Sequence, residues 1–297
     1  MKQLITYLYI FALCLSCDQN TQTSELTSGD LRFVSLSPAI TETLFALDLG
    51  DQVVGVTDFC RYPEQLQTPE ADKLRVGCMN PPLENILIKK PDLVIGMHSD
   101  DQLLKNLAKA NVKSLRIKNT TYQDILDTIK LIGEKCDRAS EAQTLTQSIE
   151  TTRQSFHERF KSKPQVKVLL NISTLSDDPN RIAPWIVGER SFYAELLQEM
   201  NVVTASAPGE DYYQASAETL LKLNPQVIIL MQPKAMDEAT WQRELEAWQK
   251  LPHIEAVQNK QIYTLTGDYV MLPGPRITKI MQGFSDILDQ IHNRPLN

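Results

Sequence analysis

Three side chains in the body of this chain would do chemistry if folding brought them together: Cys60, Cys78 and His98. Thiolate and imidazole are the donors of zinc and iron sites, and Met97, next to His98, adds a soft thioether. A metal-site enzyme or sensor is therefore one reading, with His98 the candidate donor. The other histidines, His157, His253 and His292, lie far apart in sequence, and only His98 directly follows an expected strand. There is no Gly-x-Ser-x-Gly, no His-Glu-x-x-His and no phosphate loop, and the one Cys-x-x-Cys lies within the first 17 residues. Without a paired nucleophile and base, the chain suits holding a molecule better than changing it. No catalytic residue and no intrinsic cofactor is expected.

Ser37 and Pro38 mark one place where a molecule would sit. The stretch SLSPAITETLFALDLG (35–50) follows an apolar run and opens into amphipathic spacing, which reads as strand, tight turn and helix start. A dinucleotide phosphate would need Gly-x-Gly-x-x-Gly at such a turn, and no Gly-x-Gly occurs in the 297 residues.

The elements that must position these residues alternate. Short apolar or β-branched runs at 33–37, 53–57, 93–97 and 114–117 are separated by segments of helical spacing, and an apolar stripe from Tyr122 to Cys136 closes the set as a helix. Residues 139–161 carry Ala142, Leu145, Ile149, Phe156 and Phe160 on one face, with neither Pro nor Gly, and predict one long helix. A second set follows, with strands at 166–172, 226–231 and 261–265 and helices near 192–199, 218–223 and 240–250. The expectation is an α/β protein: two Rossmann-like α/β lobes, 31–137 and 164–297, joined by a single backbone helix over 138–163, with a ligand cleft between them.

The halves share a pattern. Glu84-x-x-Leu87-x-x-x-Pro91-x-Leu93-Val94-Ile95 matches Glu218-x-x-Leu221-x-x-x-Pro225-x-Val227-Ile228-Ile229 offset for offset, one helix-Pro-strand unit used twice. Trp241, Leu245 and Trp248 share a helical face and read as core.

Charge and the first residues bound the setting. A formal charge of -7 and a pI near 5.2 argue against a nucleic-acid binder, which needs a cationic surface. Lys2, the apolar run 4–15, then Ser16-Cys17 has the dimensions of an export signal and resembles a bacterial lipobox. On that reading residues 1–17 are the signal peptide, Cys17 is lipidated, and the polar stretch 18–30 tethers an exported, lipid-anchored body to a membrane. Cys60, Cys78 and Cys136 then remain, an odd number that leaves at least one unpaired; a Cys60–Cys78 bridge is open from sequence.

From about Arg32 onward the chain resembles the extracytoplasmic solute-binding proteins of ABC importers for cobalamin, haem and ferric siderophores, and most closely the cobalamin-binding members. The resemblance rests on LSPAITETLFALDL, VVGVTDFCRYPEQ and LENILIKKPDLVIG in the first half and GDYVMLPGPRI in the second. It implies capture of a metal chelate between two lobes and delivery to a membrane permease and its ATPase by a monomer, with no bond made or broken. By position it implies a pocket of Ser37, Pro38, Phe59, Tyr212, Asp268 and its neighbour Tyr269, with Tyr213 beside it; Trp185, in the loop stretch IAPWIVGERSF before a helix, is a pocket residue or a packing residue. Family tryptophans fall on Cys78 and Met97, and a family arginine falls on Leu272. Glu84 and Glu218, the pair marked by the repeat, match carboxylates that dock into permease arginines. Helix N-terminal stabilisation is the plainer role for both.

Overall fold

A computed structural model describes residues 31–173 and 182–293. Expectations for the signal peptide, the tether and Cys17 fall outside the described residues. Five strands, β1 (Phe33–Ser35), β2 (Val53–Thr57), β3 (Arg75–Gly77), β4 (Leu93–Met97) and β5 (Lys113–Ile117), form one sheet in the order β3-β2-β1-β4-β5. Every pairing is parallel, and the central strands are continuous apolar runs because helices cover both faces. Helices α1 (Pro38–Ala46), α2 (Leu83–Leu87), α3 (Asp101–Lys109) and α4 (Tyr122–Lys135) lie between or after these strands. The Ser37 hydroxyl accepts from the Ile40 N–H and Pro38 occupies the first turn, which fixes where α1 begins.

Helix α5 (Ala139–Phe160) runs 22 residues and leads to the second set of strands. It packs on α4 and on two later helices, α6 (Phe192–Glu199) and α10 (Ile277–His292), and buries Ala142, Thr146, Ile149, Phe156 and Phe160. Gly133 on α4 makes the α4–α5 crossing close, since a Cβ there would lie 2.4 Å from Ala142 Cβ.

The second sheet has six strands: β6 (Val166–Ser173), β7 (Trp185–Val187), β8 (Val202–Thr204), β9 (Tyr212–Gln214), β10 (Val227–Gln232) and β11 (Ile262–Thr266). The path is β11-β10-β6-β7-β9, with β8 beside β6. It is mixed, since β7 runs antiparallel to both β6 and β9. Three-residue strands such as β3, β7, β8 and β9 are too short to carry a period. Trp185, expected in a loop, opens β7. Helices α7 (Ala217–Leu223), α8 (Glu238–Gln249) and α9 (Glu255–Gln258) complete the second half. Trp248 on α8 is fully buried, and Trp241 packs against the same cluster.

The repeated unit is visible in three dimensions. In each half a short helix carrying the glutamate, α2 or α7, leads into a central strand, β4 or β10. The residue before each proline, Lys90 at φ 50 and Asn224 at φ 40, takes the left-handed conformation.

Candidate functional site: a cavity between the two sheets

The segments that leave the carboxyl ends of β1, β2, β3, β4, β10 and β11 converge on a cavity of about 780 Å³. Open α/β sheets place ligands there because side chains on the departing loops escape the packing that consumes strand residues. The walls are mainly apolar. Leu36, Met97, Met271 and Leu272 supply aliphatic and thioether surface, while Phe59 and Met79 stand at 55% and 81% exposure, with no core neighbour to cover them.

Of the residues expected to form a pocket, Ser37, Pro38, Phe59, Met97 and Asp268 line this cavity. Leu272 lines it too, and four residues later Arg276 brings a cation to the same lining. The others lie elsewhere. Cys78 is exposed and its thiol donates to Asp58 Oδ2 at 3.0 Å, and His98 Nδ1 donates to the Ile117 carbonyl at 3.2 Å. Trp185, Tyr212 and Tyr213 gather on the β7–β9 edge, where Val187 pairs with Tyr212. The Tyr213 hydroxyl accepts from the Ala207 N–H at 2.5 Å, and burial pushes the Tyr212 phenol up to about 12. Tyr269 is partly buried against the core, with Arg276 over its ring at 5.7 Å.

The trio Cys60, Cys78 and His98 is not assembled. Cys60 is buried, and its sulfur accepts from the Thr41 hydroxyl at 3.0 Å. Among the described residues no group of three or more His, Cys, Asp or Glu side chains is placed to hold a metal ion. Cys60, Cys78 and Cys136 are all outside disulfides, so the Cys60–Cys78 bridge is not formed.

Sequence reading missed the cavity's most connected group. Glu42, on α1, is 3% exposed, and Arg276, at the start of α10, is 9% exposed. Arg276 Nε donates to Glu42 Oε2 at 2.9 Å and a terminal nitrogen donates to Oε1 at 2.6 Å, the bidentate geometry a planar guanidinium favours. Its other terminal nitrogen donates to Asp268 Oδ1 at 2.7 Å, and the guanidinium stacks on the Tyr62 ring at 3.9 Å. Burial pushes the Glu42 carboxyl above its ordinary range, and the Arg276 guanidinium offsets only part of that shift. Burial likewise raises Asp100, which accepts from the Met97 N–H at 2.6 Å. Only the fold reveals Glu42, since all of residues 39–44 are buried. A helix start with no polar face that carries a glutamate requires a cation from elsewhere in the chain.

Glu84 and Glu218 are both exposed, in the first turns of α2 and α7. Glu218 pairs with Lys222 at 2.7 Å.

Among the described residues the arrangement is a cavity between two α/β bodies with apolar walls and a few fixed polar groups. Residues 33–269 match the periplasmic binding protein family, and the chain belongs to it. It is a substrate-binding protein, not an enzyme. An uncharacterized ABC transporter substrate-binding lipoprotein of Bacillus subtilis, YvrC, is 26% identical over 283 residues, 93% of this chain and 84% of that one. A vitamin B12-binding protein of Vibrio cholerae is 26% identical over 252 residues, covering 82% of this chain and 84% of that one. The crystal structure of the periplasmic haem-binding protein HutB of Vibrio cholerae superposes with a TM-score of 0.72 at 22% identity, over 88% of this chain and 99% of that one.

Proposed function

We propose that this chain is the solute receptor of an ABC importer, and that it captures a metal chelate between its lobes, with cobalamin or a related corrinoid first and haem or a ferric siderophore second. The observation that carries the reading is the cavity itself. At about 780 Å³ it lies toward the upper end of the ~300–1,000 Å³ common for small-molecule sites, and its thioether, aliphatic and aromatic walls suit a large, largely apolar body. The likeness to a vitamin B12-binding protein supports the first ligand. Cys17 would be the lipid anchor outside a membrane, and the likeness to a substrate-binding lipoprotein supports it. Glu84 and Glu218 would meet the permease, because two carboxylates at equivalent places on repeated units suit a two-fold partner.

Calorimetric titration with cyanocobalamin and with hemin tests the ligand. Saturable one-to-one binding of cyanocobalamin is expected, weakened about tenfold or more by Phe59→Ala, because an aromatic wall contributes a large share of buried contact. Hemin binding alone would move the assignment to the second ligand. Absence of both, with ferric siderophores also silent, would overturn the metal-chelate reading.

A further inference from the structure

The Glu42–Arg276 pair joins the two halves of the chain across the cavity. Glu42 belongs to the helix that follows β1 of the first sheet, and Arg276 to the segment between β11 of the second sheet and α10. Every nitrogen of the guanidinium is engaged: Nε and one terminal nitrogen by Glu42, the other by Asp268. One face is taken by Tyr62, a first-half residue. Arg276 thus lines the cavity with its charge already satisfied inside the protein. Nearby, Gly274 is against Ala39, since a Cβ at Gly274 would lie 3.4 Å from Ala39 Cα. The backbone before Arg276 and the start of α1 are therefore in contact as well.

We infer that Arg276 is a positioning residue. With Glu42 it forms an interlobe clamp that builds the cavity floor before any ligand arrives and aims the Asp268 carboxylate into the cavity. The inference deepens the receptor reading and rests on it for its ligand-binding consequence only; the clamp is a property of the ligand-free protein. Its physical basis is the cost of separation. Moving the lobes apart at this point would leave a guanidinium and a carboxylate unpaired in a place that water reaches poorly, which is far less favourable than parting two exposed charges. A second tie lies elsewhere on the lobe boundary, where the Tyr122 N–H donates to Glu195 Oε2 at 2.7 Å and the Phe192 N–H to the Thr120 carbonyl at 3.0 Å. Both ties oppose separation of the lobes.

The test is hydrogen exchange on the full chain in detergent, without ligand, for wild type, Glu42→Gln, Arg276→Lys, Arg276→Met and the double variant Glu42→Gln/Arg276→Met. The amides to follow are Thr41, bonded to the Ser37 carbonyl, and Ile277 and Lys279, bonded to Gly274 and Arg276. Each single substitution is expected to speed exchange in both segments at once, by about tenfold or more, because opening on one side frees the other. The double variant should add little to Arg276→Met, as coupled partners do. Faster exchange at 277–279 with Thr41 unchanged, or full additivity, would overturn the clamp. Arg276→Lys and Glu42→Gln keep size, so the result stands even if Arg276→Met fails to fold.

The positioning role has its own readout. For whichever of cyanocobalamin and hemin binds wild type, Arg276→Lys should weaken affinity about tenfold while the far-ultraviolet spectrum is unchanged, since a point charge cannot reproduce the fork. Unaltered affinity would overturn positioning. If cyanocobalamin, hemin and ferric siderophores all fail to bind wild type, the metal-chelate reading fails, while the clamp stands or falls on exchange alone.

Discussion

At the scale of single residues the three thiols differ sharply, and the differences follow from what each sulfur touches. Cys78 is exposed, and its hydrogen bond to Asp58, then the charge of that carboxylate, hold the thiol above its ordinary range. Burial pushes Cys136 up to about 11, and Cys60 is raised by burial as well. Alkylation followed by peptide mapping at pH 8 should therefore label Cys78 first, with Cys60 and Cys136 protected until the fold opens. Asp58→Asn should speed labelling of Cys78, because it removes the charge that opposes thiolate formation. Labelling of Cys136 ahead of Cys78 would contradict the burial described here. Because Cys136 stays neutral in the fold up to about 11 but ionises near 9 when unfolded, its contribution to stability is full below pH 9 and is lost as pH rises toward 11.

At the scale of elements, the α4–α5 crossing sets two effects of opposite sign against each other at Gly133. Alanine there would favour the helix by about 1 kcal/mol on intrinsic propensity. Its Cβ would meet Ala142 Cβ at 2.4 Å and the Arg138 carbonyl oxygen at 2.8 Å, so the helices would have to separate. Overpacking typically costs about 1–3 kcal/mol, and the contact includes backbone, so Gly133→Ala should destabilise in a urea melt despite better propensity. An unchanged or raised midpoint would mean that the crossing is looser than described.

Elements also show what sequence could and could not reveal. Strands such as β2 and β4 fall where apolar runs put them, and helix α6 where helical spacing put it. The three-residue strands have no period to express, so the mixed half of the second sheet was invisible. Ser37, Pro38, Phe59 and Asp268 were legible as cavity residues through family motifs. Arg276 stands in the GDYVMLPGPRI motif with nothing local to mark it, and its partner lies 234 positions away. Long-range pairing leaves no local trace in sequence. Tyr212 falls by family position in a pocket and Trp185 reads as a loop residue, yet pairing across β7 and β9 sets both on a sheet edge.

At the scale of the molecule, α5 carries neither Gly nor Pro between its ends and lies against three other helices, so it is a braced strut. Ligand capture should leave small-angle scattering profiles nearly unchanged, in contrast with receptors that close on a hinge. Delivery would then depend on the outer surface. Glu84→Arg with Glu218→Arg should preserve ligand affinity and abolish uptake in cells, since both side chains are exposed and neither lines the cavity. Full uptake by that double variant would remove these glutamates from the docking account.

The clamp has a consequence for how the molecule comes into being. Glu42 emerges among the first residues of the folded body and Arg276 close to its last helix, so the contact has one of the largest loop-closure distances the chain permits. Each sheet can assemble from segments much nearer in the chain, and the floor of the cavity waits for Arg276. A product that stops short of residue 276 would lose the clamp together with α10 core residues such as Ile280 and Phe284, and would lack a finished binding site. Competence to bind thus becomes a readout of completeness, and a prematurely terminated receptor would not carry cargo to a permease.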